Sequence, residues 1–103
     1  VLVSEPLVGT AVYSASKAFL ESLVKTAAIE NCQKGITVNA IQIGYLDAGL
    51  THKIPDNVKE KILTGIPSKR WGAIAELKNV VEMLIATEYV NGTTIKINGG
   101  KSF

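Results

Sequence analysis

The apolar positions of the chain alternate between short continuous runs and a spacing typical of helices. Residues 1–4 form an apolar, β-branched run of the kind that ends a buried strand. Residues 11–33 place apolar side chains around well over half of a helix, with Thr10 as a capping residue and Gly35 as a left-handed stop. We expect such a helix to be covered on two sides, by its own sheet and by another layer or subunit.

The later elements follow in the order that crossover connections require. Residues 36–43 predict an internal parallel strand, which Gly44 ends. A short helix over about 55–63 and a longer one over about 73–86 come next. Residues 93–98 alternate as in a half-exposed strand. The pattern therefore predicts an α/β fold, the carboxyl-terminal half of a doubly wound parallel sheet.

Two or three strands are too few to cover both faces of the long helix. We therefore interpret residues 1–103 as a single partial domain, with the rest of the fold contributed from elsewhere. The run at residues 1–4 begins without a methionine or a polar lead-in, so we expect a fragment or a processed chain.

Composition excludes several classes of function. The formal charge is +2, and the lysines are interleaved with acids instead of forming the basic stripe of a nucleic-acid surface. No apolar run approaches the ~20 residues of a membrane span, and no signal peptide is visible. One cysteine and one histidine are too few for a disulfide framework or a Cys/His metal site. We expect a cytoplasmic protein with no metal, nucleic-acid or membrane partner.

Tyr13 and Lys17 are the first candidates for chemistry. A spacing of four places both side chains on one face of the predicted helix, one turn apart. A nearby cation favours the phenolate form of tyrosine, which can then exchange a proton with a developing alkoxide. The plain alternative is a packed tyrosine beside a solvated lysine.

The sheet edge supports the chemical interpretation. In an open α/β sheet, ligands bind beyond the carboxyl ends of the strands, where the loops 4–12 and 44–50 are expected. Tyr13 begins its helix at that edge. Gly44 either lets a ligand approach the backbone closely or makes a plain turn, and the pattern leaves both open.

At this point the sequence resembles the short-chain dehydrogenase/reductase family. The segments that carry the resemblance, in the family's order, are residues 13–18, 35–41, Gly44, 66–72 and 91–100. The resemblance covers essentially the whole chain. The span 44–67 is similar to that of compact members such as 3-oxoacyl-carrier-protein reductases, which have a short lid over the substrate.

The resemblance implies an oxidoreductase that transfers hydride between NAD(P) and a small carbonyl or alcohol substrate, with NADPH slightly preferred. It makes Tyr13 the catalytic acid/base and Lys17 the residue that holds the nicotinamide ribose and favours the phenolate. The backbone from Ile43 through Gly44 to Leu46 is expected to meet the nicotinamide carboxamide. Tyr45 beside it is a candidate for the substrate pocket.

Four residues depart from the family pattern. Ile43 replaces a proline, and Ala48 stands where the family usually has a threonine hydroxyl on the cofactor. Ile74 replaces a proline at the last long helix, and Asn98 replaces an aspartate before the final glycines. Ala48 is the departure that bears on cofactor affinity.

The family's glycine-rich phosphate turn, its catalytic asparagine and its NAD-or-NADP selector belong to the amino-terminal half. The catalytic serine is expected just before Val1, and Ser4, the nearest candidate, lies too close to Tyr13 unless the loop is shortened. We therefore expect the 103-residue chain alone to be inactive.

Other reactive side chains have plain interpretations. His52 is expected as a solvated loop residue, Cys32 as an inert thiol, and Trp71 beside Arg70 as a packing residue.

Two functions remain open. The first is half of a reductase. The second is a degenerate, non-catalytic module for assembly, which the changes at Ile43 and Ala48 favour. Both predict a homodimer or homotetramer that associates through helix 11–33 and the last helix and strand.

Overall fold

The computed structural model describes residues 8–101, and the run at residues 1–4 lies outside them. Three helices and two strands follow one another in the order helix, strand, helix, helix, strand: α1 (Ala11–Asn31), β1 (Ala40–Ile43), α2 (Asp56–Thr64), α3 (Ile74–Ala86) and β2 (Thr94–Ile97). Short 3₁₀ turns cover Cys32–Lys34 and Gly49–Lys53. The predicted order of elements is confirmed over this range.

Helix α1 ends where the glycine stop predicts. The α-helix closes at Asn31, and a 3₁₀ turn leads to Gly35, whose φ of 74° is left-handed. Its start differs in detail, because Thr10 occupies the cap position without making a side-chain cap hydrogen bond. The Thr10 carbonyl accepts the first backbone hydrogen bond of the helix, from the Ser14 N–H (2.8 Å).

Strands β1 and β2 are parallel, in a register that pairs Ala40 with Thr94 and Ile43 with Ile97. In the part of the chain that the structure describes, they form a two-stranded sheet. Each strand has four residues and is shorter than predicted. The shortening has a local cause, since the backbone before β1 is bonded by side-chain amides and a turn instead of a strand ladder.

Two asparagines provide those amides. Asn91 Oδ1 accepts from the Val38 N–H (2.9 Å), and its Nδ2 donates to the Ala28 carbonyl in α1 (3.4 Å). Asn39 Oδ1 accepts from the Thr93 N–H, and its Nδ2 donates to the Val90 carbonyl, both at 3.1 Å. The network ties the carboxyl-terminal end of α1 to the starts of both strands.

The apolar faces of α1 are largely exposed. Val12, Phe19 and Ile29 are 85%, 64% and 77% exposed, and Ala28 is the one residue of this helix that is buried. The predicted cover on two sides is therefore not supplied by residues 8–101. Burial of apolar side chains is the main favourable term in folding, so these faces contribute little to it here.

Candidate active site

Tyr13 and Lys17 come together as the four-residue spacing predicts. Both lie in the first half of α1, and the Lys17 ammonium nitrogen is 5.2 Å from the centre of the Tyr13 ring. That distance is a cation–π contact, which attracts the ammonium to the ring face. The Tyr13 side chain remains about half exposed.

An open cleft of about 330 Å³ separates this pair from the sheet. Tyr13, Lys17 and Leu20 line it from α1, and all of β1 lines it from the other side. A volume of this size falls at the lower end of the range typical for small-ligand sites. The structure thus brings three predicted site residues, Tyr13, Lys17 and Ile43, to one cleft.

One edge of β1 faces away from β2. The N–H groups of Ala40 and Gly44 donate to β2, at 2.9 and 2.8 Å. Successive residues of a parallel strand direct their backbone groups to opposite edges, so Ile41 and Ile43 direct theirs away from β2. Backbone donors and acceptors at such an edge are the groups that recognise a carboxamide. The edge at Ile43 thus offers groups of the kind that a carboxamide can pair with.

Gly44 is required for packing against the neighbouring strand. A Cβ at this position would lie 2.9 Å from the Asn98 Cα and 3.3 Å from the Ile97 carbonyl oxygen. Side-chain atoms are not accommodated at such distances from backbone. The structure accordingly explains Gly44 by strand packing, without needing a ligand.

Tyr45 and Leu46 face a different space from the Tyr13 cleft. They line a small cavity of about 50 Å³ together with residues from the 66–72 segment and the end of β2. The Tyr45 ring meets the Trp71 ring edge to face, with centroids 5.7 Å apart. Trp71, predicted as a packing residue, does pack here, on Tyr45.

An ion pair that sequence inspection did not single out lies beside this cavity. Arg70 donates from both terminal nitrogens to the two carboxylate oxygens of Glu76, at 2.7 and 3.1 Å. These bonds, with a further one from the Ala73 N–H, lower the pKa of Glu76 from its usual 4.5 to about 2. Both side chains are exposed, so the pair orients the start of α3 more than it stabilises the fold.

The loop after β1 carries a second polar pair. His52 Nε2 and Asp47 Oδ1 are 3.0 Å apart, and both side chains are largely exposed. His52 is the solvated loop residue that the sequence predicts. Ala48, between them in sequence, offers no hydroxyl to a cofactor.

Metal-binding clusters and membrane-spanning helices are both absent from residues 8–101. No group of three or more His, Cys, Asp or Glu side chains in this range could hold a metal ion. No helix in it is long and apolar enough to cross a membrane.

Comparison with known proteins identifies the fold. A family model described as enoyl-(acyl carrier protein) reductase matches residues 3–102. The 3-oxoacyl-[acyl-carrier-protein] reductase FabG of Staphylococcus epidermidis is 40% identical over 94 residues, covering 89% of this chain and 38% of that protein. Nodulation protein G of a Rhizobium species is 39% identical over 90 residues, covering 85% of this chain and 37% of that protein.

A solved structure agrees with these matches. A candidate 2-deoxy-D-gluconate 3-dehydrogenase from Agrobacterium tumefaciens, solved with bound NADP, superposes with a TM-score of 0.76. It is 36% identical, and the match covers 85% of this chain and 37% of that one. The fold is therefore a Rossmann-like α/β fold. The chain belongs to the short-chain dehydrogenase/reductase family, a family of oxidoreductases, and it spans less than two-fifths of the length of these relatives.

Proposed function

We propose that the protein containing this chain is an NAD(P)-dependent reductase that converts a ketone, of the 3-oxoacyl thioester kind, reversibly into an alcohol. The observation that carries the proposal is the Tyr13–Lys17 pair, which lines one open cleft together with β1. The named activity of the Staphylococcus relative supports the substrate class. NADP in the Agrobacterium structure supports NADPH as the preferred cofactor.

When bound, the nicotinamide cofactor would supply the hydride that reduces the carbonyl carbon. The Tyr13 hydroxyl donates its proton to the carbonyl oxygen as that oxygen gains charge, which yields the alcohol and leaves a phenolate. Lys17 stabilises the phenolate and holds the ribose hydroxyls. A proton from solvent then restores Tyr13. In the oxidising direction the same residues act in reverse.

The backbone from Ile43 through Gly44 to Leu46 is proposed to orient the nicotinamide, and Tyr45 to border the substrate. Support is strongest at Ile43, whose backbone faces away from β2. Binding of the cofactor phosphates is assigned to other parts of the protein, because Ala48 has no side-chain hydroxyl that could donate from that position of the loop. We therefore expect the chain alone to be inactive.

The decisive variant is Tyr13→Phe, measured in the full polypeptide as NADPH oxidation in the presence of acetoacetyl-coenzyme A. Removing the proton donor should lower turnover by about 10²- to 10⁴-fold, the usual contribution of a general acid. Tyr89→Phe is the matched control, because Tyr89 is fully exposed and lines neither the cleft nor the Tyr45 cavity. Full activity in Tyr13→Phe, or no binding of either NADPH or NADH by the wild type, would contradict the proposal.

A second function, a non-catalytic assembly module, is favoured by one observation, the exposed apolar faces of α1. Such faces are typical of interfaces between subunits. In both functions we propose that two or four copies associate through α1, α3 and β2. Titration with NADPH separates the two, since the module would not bind the cofactor.

A further inference from the structure

Two segments that are distant in sequence meet beside the predicted site. The Gly72 N–H donates to the Tyr45 carbonyl (2.9 Å), and the Asp47 N–H donates to the Gly72 carbonyl (2.8 Å). Leu46 and Gly72 thus form an isolated parallel bridge. The chain leaves this bridge at residue 48 and returns to it after residue 69, and α2 lies in the segment between. We call the contacts between residues 45–47 and 70–72 the base of the 48–69 segment.

Side chains reinforce the base. The planes of the Tyr45 and Trp71 rings are inclined by 70°, which is the edge-to-face arrangement that aromatic pairs favour. Leu46 lies directly over Gly72, where a Cβ would come within 2.6 Å of the Leu46 Cδ2. The base is therefore held by backbone bonds and by close packing together.

The backbone of Trp71 is also held in place. Arg70, its neighbour, is bonded to Glu76 in the first turn of α3 and donates to the Trp71 carbonyl (3.1 Å). The backbone at Trp71 is thus tied to the start of α3, while its ring meets Tyr45 in the loop that follows β1. A ring held in this way restricts where Tyr45 can lie, and with it the backbone on either side.

We infer that Trp71 is a positioning residue, which holds Tyr45 and the adjoining backbone from Ile43 to Leu46 in the geometry that receives cofactor and substrate. This inference rests on the proposed function. Trp71 does not reach the Tyr13 cleft, so it acts through Tyr45 and not on the reacting atoms. Its loss should therefore weaken ground-state binding and leave the chemical step nearly intact.

The test is steady-state kinetics on the full polypeptide with NADPH and acetoacetyl-coenzyme A. An edge-to-face pair is worth about 0.5–1.5 kcal/mol, or roughly a 2- to 12-fold effect. We expect Trp71→Ala to raise KM for at least one of the two ligands by about that factor, with kcat within about twofold of the wild type. Trp71→Phe should restore KM, because a phenyl ring keeps the edge contact.

The double variant of Tyr45→Ala and Trp71→Ala completes a thermodynamic cycle. If Trp71 acts through Tyr45, the second substitution should add little to the first. Additive effects, an unchanged KM in a folded Trp71→Ala protein, or a loss confined to kcat would each overturn the inference. Circular dichroism establishes folding, and Trp71→Leu with Tyr45→Leu tests the same contact if the alanine variants unfold.

Activity of the wild-type protein distinguishes a failure of the proposed function from a failure of the positioning role of Trp71. The positioning role alone is contradicted if the wild type is active, Tyr13→Phe lowers its turnover and Trp71→Ala leaves its kinetics unchanged. A wild type that reduces nothing with NADPH or NADH overturns the proposed function and this inference with it.

Discussion

Helix α1 and the base of the 48–69 segment are held in opposite ways. The helix is 21 residues long and largely apolar, yet it buries one side chain, Ala28. The base involves a few residues on each side, and these are joined by the two backbone bonds of the Leu46–Gly72 bridge and by a ring contact. The predicted catalytic pair therefore lies on the loosely packed element, and the predicted cofactor-side backbone lies on the firmly packed one.

The difference shows where the position of Tyr13 is determined. Helix α1 is attached to the sheet near Ala28, through the Asn91 amide, and Tyr13 lies about 22 Å further along the helix axis. A small rotation of α1 about its attached end moves Tyr13 several times further than it moves the residues next to Ala28. Whatever fills the cleft and covers the apolar faces of α1 must therefore fix the position of Tyr13.

The largest expected effect on stability is in the firmly packed region, at Gly44. Gly44→Ala places a methyl group against the backbone of Asn98, so β1 and β2 must move apart. We expect a loss of about 2–3 kcal/mol in the free energy of unfolding, measured by urea denaturation of the full polypeptide.

Gly72→Ala is the matched control for this substitution. Its methyl group would meet the Leu46 Cδ2, the end of a flexible side chain that can rotate away. The cost should be clearly smaller than at Gly44. Equal losses would show that the close approach of the two strands is not what makes Gly44 necessary.

The attachment of α1 should be nearly as sensitive. Asn91→Ala removes the acceptor for the Val38 N–H and the donor to the Ala28 carbonyl, so we expect a loss of about 1–3 kcal/mol in unfolding free energy. Asn91→Asp keeps the acceptor and should cost less. Hydrogen exchange at the Val38 amide reports the change directly, and an unchanged exchange rate would contradict it.

A smaller effect, with a characteristic pH dependence, is expected at Glu76. Because folding lowers its pKa from 4.5 to about 2, the carboxylate stabilises the folded state at pH values above its unfolded pKa. This contribution is lost as the pH falls toward 2. The melting temperatures of the wild type and Glu76→Gln should therefore differ at neutral pH and converge in acid, whereas a constant difference would argue against the ion pair.

The smallest effect on folding, and the sharpest contrast, concerns Phe19 on α1. This side chain is 64% exposed, so Phe19→Ser should change the unfolding free energy of the 103-residue chain by about 0.5 kcal/mol or less. If α1 forms the proposed interface, the same substitution should shift the assembly toward monomers in analytical ultracentrifugation. An unaltered sedimentation profile would remove α1 from the interface.

Local patterns predicted much of this architecture. Helical spacing and Gly35 predicted α1 to within two residues of its end at Asn31, and the four-residue spacing placed Tyr13 with Lys17. These features depend on neighbours within one or two turns of the chain. The ordered family motifs then indicated the Rossmann-like fold, which no local rule specifies.

Contacts between distant residues were not predictable in this way. Asn91 begins the 91–100 segment that carries the family resemblance, yet its side-chain oxygen accepts from the Val38 N–H, 53 positions away. The partner of Trp71 is likewise Tyr45, and nothing in their spacing marks the pair. Gly44 was left open between a turn and a ligand approach, because only the register of β1 against β2 brings Asn98 beside it.

The bridge between Leu46 and Gly72 has a consequence for how such proteins diversify. A chain segment whose two ends are joined to each other can change in length or composition without relocating either end, and lengthening a loop costs little entropy. Residues 48–64 have this freedom, whereas Ile66 is buried and the Ser68 N–H donates to the Gly99 carbonyl, which holds the end of the segment against the chain beyond β2. We expect an exchange of residues 48–64 to leave the pairing of β1 with β2 in place.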